Sequence, residues 1–436
     1  MARVHLGPLQ RAIVVENPSL VLDEQLSAAG VTVTRLSETP STSALIDHIN
    51  KTGAQAIFKR SRVPVTRELI EACPSLLAVQ LCCIGDDSVD KQACADHGIM
   101  VFNDPISNGR SVVEMVIAHL LSLSRRFYET NDRTRHGVWE KNNHQRYEVK
   151  GKVLGVLGLG NIGRSVARVA SALGMTVQFY DTRQVSLELG RELGWTATES
   201  VDALFSTSDY VTVHLSARDI HGTSNAALLS PETLMKLGKS RPANSPRIFL
   251  NLSRGFLHTA GSLRAAVESG QIRRAAVDVY PEEPRGGSAW VNPYADLPQV
   301  VTTPHIGAST QEAQPRIARR VSQTFGEFST LGALRDCVFA PRVGLSLPTR
   351  RDSGVVLAVV HSTARGTKRS IDNAIFDAGA SNLASAHRDF EDLGVAYDLA
   401  MLDKGLTADE IQAMMASAAV VTGDPDAIRS VRQITI

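Results

Sequence analysis

The sequence predicts an α/β protein with two Rossmann-like, doubly wound parallel-sheet domains and a C-terminal ferredoxin-like βαββαβ module. Three observations carry that reading. Strand-like and helix-like runs alternate through residues 1–102 and again through 152–305, the pattern of parallel sheets joined by crossover helices. A glycine loop, Val156-Leu157-Gly158-Leu159-Gly160-Asn161-Ile162-Gly163, sits directly between an apolar strand and an amphipathic helix. Residues 355–436 read strand, helix, strand, strand, helix, strand.

In the first domain, residues 12–15, 31–36, 54–58, 76–82 and 99–102 are apolar enough for buried strands, with helices predicted over 20–29 and 42–50. A long apolar-periodic helix follows over 110–123, then a polar stretch over 128–147 whose main large apolar residue is Trp139. The second run supplies strands at 153–157, 176–180, 210–215, 247–252, 275–279 and 300–303, enough for a nucleotide sheet. A helix over 310–327 comes after that sheet is complete, so it is expected to return to the first domain. Residues 345–352, with Pro348 and Arg350-Arg351, read as a linker, and 238–246 as an inserted surface loop. The expected domains are 1–108 with 309–340, then 109–308, then a small separate module at 353–436.

Bulk properties narrow the function classes. A chain of 436 residues is expected to hold two or three domains. Its net charge of +1 points to neither a nucleic-acid nor an anionic-membrane partner. No apolar run approaches the ~18 residues of a membrane span, and the N-terminus lacks the layout of a signal peptide. Five cysteines, two of them adjacent, form no metal-ligand spacing and suggest reduced thiols in a cytoplasmic protein. No metal site is expected.

The glycine loop carries the first chemistry. A bare GxGxxG is weak, but about 18 residues past its last glycine the next strand ends in Asp181, where a dinucleotide site needs an acid. Gly158, Gly160 and Gly163 let the backbone approach a pyrophosphate, whose charge sits on the helix N-terminus. Asp181 suits the ribose hydroxyls and repels a 2′-phosphate, which favours NAD over NADP, although Arg183 stands close by. The same loop also closes ordinary βα units and methyltransferase sites.

Three charged residues follow later strands. Arg254 ends Phe249-Leu250-Asn251-Leu252-Ser253-Arg254, Glu283 lies in Tyr280-Pro281-Glu282-Glu283-Pro284, and His305 in Thr302-Thr303-Pro304-His305-Ile306-Gly307. Taken singly, each reads more simply as a loop hydrogen-bonder or a solvated charge. Together, past a dinucleotide loop, they form the set that alcohol oxidation needs. Histidine takes the hydroxyl proton, a carboxylate orients its ring, and an arginine clamps a substrate carboxylate. Lys59, Arg60 and Arg62 place three cations at a strand end of the first domain, suited to a distal anionic group.

At these residues the chain resembles the D-isomer-specific 2-hydroxyacid dehydrogenases, closely over residues 55–330. The resemblance is carried by Lys59-Arg60-Ser61-Arg62, Cys82-Cys83-Ile84-Gly85, Val101-Phe102-Asn103, Ser107-Asn108-Gly109-Arg110-Ser111-Val112 and His136-Gly137-Val138-Trp139-Glu140-Lys141. The glycine loop and residues 251–255, 278–284 and 303–313 complete it. It implies that Arg254, Glu283 and His305 are catalytic and leaves Glu282 solvated. Gly158, Gly160, Asn161, Ile162, Gly163, Asp181, His214, Ser253 and Asp278 would hold NAD, with Asp278 on the nicotinamide carboxamide. Arg60, Ser61, Ile84, Gly85, Asn108 and Arg254 would meet the substrate between two closing domains.

The implied reaction is oxidation of 3-phospho-D-glycerate to 3-phosphohydroxypyruvate, the first step of serine biosynthesis, in a homodimer or homotetramer. Trp139 would sit at the dimer contact, with Lys141 reaching a neighbour's cleft. Asp86-Asp87 depart from the neutral Thr-Asn usual in relatives that take a phosphorylated acid, which keeps reduction of another 2-oxo acid open, such as phosphonopyruvate or 2-oxoglutarate. A further alternative is an NADH-sensing, corepressor-like interaction protein. The C-terminal module resembles ACT domains, which sense amino acids. His361, Gly366 and Asn382 fit that pattern, but Thr363 and Arg365 replace its usual asparagine and proline, so serine as effector is in doubt.

Overall fold

The computed structural model describes residues 2–36, 39–219, 223–284, 289–341, 343–348 and 353–436; Arg350-Arg351 of the expected linker lie outside the described residues. The chain divides into two compact units, Met1–Ser107 with Gln314–Ile436, and Asn108–Ala313.

The first unit opens with a strand that the sequence did not disclose, β1 (Arg3–Leu6). Five parallel strands follow: β2 (Arg11–Val14), β3 (Thr32–Arg35), β4 (Ala56–Lys59), β5 (Ala78–Leu81) and β6 (Met100–Phe102), in the order β3-β2-β4-β5-β6. Ser41, Thr66 and Asp90 each accept a backbone N–H at the start of the helices between them, which satisfies donors that a helix leaves open. The order reverses between β2 and β4, so the loops after those strands flank a switch point where ligands of open α/β sheets gather. Arg60 and Ser61 begin the loop after β4.

The second unit is a seven-stranded parallel sheet: β7 (Val153–Leu157), β8 (Thr176–Tyr180), β9 (Thr196–Ala197), β10 (Tyr210–Val213), β11 (Ile248–Asn251), β12 (Arg274–Val277) and β13 (Val300–Thr302). Its order is β13-β12-β11-β10-β7-β8-β9, with the switch point between β7 and β10. The strands are buried on both faces, hence their continuous apolar runs. Two elements here escaped the sequence reading: the two-residue β9, and a helix, Phe127–Arg135, inside the stretch read as merely polar. That helix buries none of its residues, so it shows no apolar periodicity. The expected surface loop over 238–246 is only partly one, because Gly238, Ser245 and Pro246 are buried and Arg241 pairs with Asp209 at 3.0 Å.

The C-terminal strands are β14 (Val355–Ser362), β15 (Asn382–Phe390), β16 (Val395–Leu402) and β17 (Ile428–Thr435). With helices Thr367–Asp377 and Ala408–Thr422 they form the ferredoxin-like order β17-β14-β16-β15, antiparallel throughout. This module is not set apart as expected. β1 adds to β17 as a parallel strand, Arg3 opposite Ser430, and one face of the sheet shares a core with the first α/β sheet. Val356, Ala358, Val360, Tyr397 and Leu399 join Val14, Phe58 and Phe102 there, with Phe325 and Phe328 of helix Ala313–Leu331. Phe58 meets Phe325 edge-on at 5.2 Å. Burying one such ring contributes up to about 3 kcal/mol. The Arg432 guanidinium lies 4.3 Å from the Phe328 ring centre and donates to the Phe328 and Ser329 carbonyls at 3.0 and 2.7 Å.

Among the described residues no helix is long and apolar enough to cross a membrane. All five cysteines are free thiols, and four are buried.

Candidate active site

The second unit gathers the catalytic candidates at the carboxyl ends of β11, β12 and β13. Past β13 the chain turns through His305, whose φ of 55° is left-handed, a conformation that costs a non-glycine residue on the order of 1 kcal/mol. Asp278 holds the turn. Its Oδ1 accepts the Thr303 hydroxyl at 2.6 Å and the Ile306 N–H at 2.9 Å, and its Oδ2 accepts the Gly307 N–H at 2.8 Å. Asp278, read as a cofactor residue, thus also fixes the histidine loop.

His305 Nδ1 lies 2.9 Å from Glu283 Oε2 and 3.1 Å from Oε1. Glu283 is itself placed by the Tyr280 N–H at 3.3 Å, while the Tyr280 hydroxyl donates to the Thr303 carbonyl at 3.0 Å. The Glu283 hydrogen bond holds the His305 imidazole above its ordinary value, against burial that pushes it down. Burial pushes the Glu283 carboxyl up, but the His305 hydrogen bond and charge outweigh it and hold the group below the usual carboxylate range. Glu282 takes no part in the pair; its carbonyl accepts the Trp290 indole N–H.

Arg254 follows β11 in extended conformation. Asn251, fully buried, fixes this turn by accepting the Ser253 N–H and hydroxyl at 3.1 Å and donating to the Arg254 carbonyl at 2.9 Å. Gly255 allows the approach, since a Cβ there would stand 2.0 Å from the Tyr280 backbone. Arg254 lies close enough to lower Glu283 and His305 electrostatically. The supporting roles of Asn251 and Tyr280 were missed; both stood in the quoted motifs, but they act through turns two or three residues long and, for the Tyr280 hydroxyl, through a contact 23 residues away, none of which has a residue-type signature.

The glycine loop forms a cradle that fits a dinucleotide. Gly158 has φ 91°, and a Cβ there would meet the His214 carbonyl at 2.6 Å; one on Gly163 would meet the Gly158 carbonyl at 2.1 Å. Helix Asn161–Ala172 starts at Gly160 with no side-chain cap, so its first N–H groups are open to a pyrophosphate. Asn161 lies against Gly109, 3.0 Å from where a Cβ would stand. Ile162 packs on the apolar core beneath. Asp181 accepts the Leu159 N–H at 2.8 Å and is gripped by Arg183, Nε at 2.9 Å and Nη2 at 2.6 Å. Burial pushes its carboxyl up, but these bonds hold it below its ordinary value. His214 hydrogen-bonds Thr212 at 3.0 Å, and burial pushes its ring down to about 3, keeping it neutral. Asn108, at the start of helix Gly109–Ser124, is buried with Oδ1 lacking any hydrogen-bond partner among the described residues.

In the first unit Arg60, Ser61, Ile84 and Gly85 follow the adjacent strands β4 and β5. Asn103 donates to the Ile84 carbonyl at 2.6 Å, and Cys83 Sγ approaches the Gly85 carbonyl at 3.3 Å. The expected trio of cations is reduced to two. Lys59 is fully buried and ties the loop from inside, donating to the Arg60 carbonyl and the Ser88 hydroxyl, both at 2.7 Å. Its strand alternation points it into the domain, leaving Arg60 and Arg62 toward solvent. Asp86, whose charge argued against an anionic substrate, is paired with Lys91 at 2.7 Å.

In the C-terminal module a cavity of about 440 Å³ opens beside His361, Arg365, Lys368 and His387. Gly366, at φ 104°, starts the helix beside it, and Asn382 begins the edge strand β15.

Comparison with known proteins identifies relatives of the chain. Residues 117–307 match the family profile "D-isomer specific 2-hydroxyacid dehydrogenase, NAD binding domain". The chain is 35% identical over 329 residues to a D-3-phosphoglycerate dehydrogenase of Haemophilus influenzae, covering 75% of this chain and 76% of that protein. It is 33% identical to the Escherichia coli K12 enzyme of the same name, covering 83% and 84%. Among solved structures, a glyoxylate reductase from Paecilomyes thermophila superposes with a TM-score of 0.65 at 25% identity, covering 76% of this chain and 98% of that one. A D-lactate dehydrogenase from Aquifex aeolicus, complexed with NAD and lactic acid, shares the fold with a TM-score of 0.61 at 22% identity, covering 73% and 95%.

Proposed function

Because the chain belongs to the D-isomer specific 2-hydroxyacid dehydrogenases, we propose that it oxidises 3-phospho-D-glycerate to 3-phosphohydroxypyruvate, the first step of serine biosynthesis. The observation that carries the chemistry is the His305–Glu283 pair at 2.9 Å beside Arg254, on strand ends of an NAD-binding sheet. The substrate assignment is supported by the names of the two bacterial relatives and by Arg60 and Arg62, which suit a phosphate.

Bound NAD supplies the acceptor for the hydride that leaves the substrate carbon. Arg254 holds the substrate carboxylate by paired N–H bonds. His305 keeps Nδ1–H toward Glu283, so its Nε2 is the base that takes the hydroxyl proton. Glu283 fixes that tautomer and stabilises the resulting imidazolium. In the reverse direction the same imidazolium returns the proton to the carbonyl oxygen. Asp278 and Ser253 serve the nicotinamide end, the cradle from Gly158 to Gly163 the pyrophosphate, and Asp181 and His214 the adenosine end. Asn108, with Ile84 and Gly85, completes the substrate contacts. Asp181 favours NAD over NADP.

We assign the protein to the cytoplasm, in keeping with its five free thiols, and to a homodimer or homotetramer. Trp139, 86% exposed next to the exposed Val138, supports such a contact. An amino-acid effector at the C-terminal module is supported by its cavity. The test is NADH oxidation by the purified protein with 3-phosphohydroxypyruvate, phosphonopyruvate and 2-oxoglutarate. The proposal expects 3-phosphohydroxypyruvate to give the highest kcat/KM by at least tenfold. Preference for another oxo acid overturns the substrate while keeping the mechanism, and tight NADH binding without turnover on any of them supports the sensor reading.

A further inference from the structure

We propose that the C-terminal module binds one divalent transition-metal ion of the zinc class through His361 Nε2, His387 Nδ1 and Asp398. Strand register brings them together. Asp398 stands opposite His387 on β15 and opposite Val359 on β14, and His361, two residues beyond Val359, projects from the same face. The three ligand atoms all lie within 4.8 Å of one another. His361 Nε2 is 2.9 Å from Asp398 Oδ2, and His387 Nδ1 is 2.9 Å from Asp398 Oδ1. A tetrahedral zinc ion spaces its N and O ligands about 3.4 Å apart, within easy side-chain adjustment of this arrangement. His361 and Asp398 are 2% and 4% exposed, while His387 opens to the cavity side.

The outer contacts follow the pattern of metal-bound histidines, whose second nitrogen is held by a carbonyl or carboxylate. His361 Nδ1 lies 2.8 Å from the Ser362 carbonyl, and His387 Nε2 lies 3.2 Å from Asp389 Oδ1. Every nitrogen of both rings therefore faces an acceptor. A neutral imidazole donates through one nitrogen alone, so each neutral ring leaves one lone pair facing an acceptor, a mismatch that a bound cation removes. A divalent ion carries the same charge as the two extra protons that would otherwise be needed. Three ligand atoms gathered within 4.8 Å of one another are what an ion requires and protons do not.

Two imidazoles and one carboxylate suit zinc, cobalt or nickel and not magnesium or calcium, which prefer oxygen ligands. Lys368 Nζ is 3.4 Å from Asp398 Oδ1 but 2.7 Å from Asp372 Oδ1, so it keeps a partner when the ion takes Asp398. The adjacent cavity leaves room for a water or an anionic ligand at the fourth position. Such an ion would bolt the edge strand β15 to β16 and β14.

The test uses the full chain, free of purification tags and stripped with chelator, titrated with Co²⁺ and then Zn²⁺. The expected result is one Co²⁺ per chain with the strong visible absorption of a tetrahedral site, displaced by Zn²⁺, and a rise in Tm with Zn²⁺ but none with Mg²⁺. His387→Gln, on a half-exposed position, should weaken Co²⁺ binding at least tenfold and abolish the Zn²⁺-dependent Tm shift, with unchanged circular dichroism. His361→Gln should do the same. Absence of the tetrahedral band in the wild-type protein, or its persistence at equal affinity in both variants, overturns the proposal.

Discussion

Two imidazole–carboxylate sites of the molecule, His305 with Glu283 and the pair of rings around Asp398, are built to opposite ends. In the second unit His305 meets Glu283 through Nδ1 alone, on a half-exposed loop, and among the described residues nothing hydrogen-bonds its Nε2. In the C-terminal module one buried carboxylate, Asp398, serves two rings whose nitrogens are all engaged. The bond lengths to carbonyl or carboxylate are alike, so distance does not separate the two roles. What separates them is the unspent nitrogen. A ring held through one nitrogen alone is oriented and keeps the other for a substrate proton, whereas the rings around Asp398 spend both nitrogens on the protein, as metal-bound histidines do.

The largest expected effect tests the unspent nitrogen directly. His305→Asn should lower turnover by about 10²–10⁴-fold while leaving NADH affinity, read by fluorescence titration, within about twofold. Equal losses in binding and turnover would mean that His305 holds the cofactor and that the comparison fails. Next comes its partner. Glu283→Gln should cost turnover about 10–100-fold and shift the pH profile. Oxidation needs His305 unprotonated. Its raised value places the rise in oxidation rate above the ordinary histidine value of ~6.5, and loss of Glu283 should move that rise to lower pH. A move to higher pH would contradict the assignment. The smallest kinetic effect belongs to the other site. Asp398→Asn should register in thermal unfolding, at about 3 kcal/mol for a broken buried pair, and an unchanged Tm would show that the cluster fastens nothing.

Legibility in the sequence followed the range of the interactions. The cradle from Gly158 to Gly163 and Asp181 could be read because a tight turn, a helix start and the next strand end lie within one βαβ unit. Arg254, Glu283 and His305 could be placed because each follows a strand of a parallel sheet, where such sheets collect their ligands. The direction of Lys59 could not be read beside Arg60 and Arg62: composition counts three cations, and only strand alternation turns one inward. Two elements of the second unit were lost for opposite reasons. β9 is two residues long, and helix Phe127–Arg135 buries nothing. The His361, His387 and Asp398 cluster draws on three strands and has no sequence spacing, so a search for compact metal motifs passes over it.

β1 was equally hidden, since its partner lies at the far end of the chain. Arg3 pairs with Ser430 across the sheet and caps the helix Arg67–Ala72 by donating to the carbonyls of Ile70, Cys73 and Leu76 at 2.6, 2.5 and 2.9 Å. During synthesis, residues 3–6 leave the ribosome early and wait for residues 428–435 before their strand has a neighbour. The first α/β sheet can form in the meantime and offers Arg3 the carbonyls of Ile70, Cys73 and Leu76, but the strand itself gains its partner only with β17. The β1–β17 pairing is therefore a late, long-range step in the assembly of this unit.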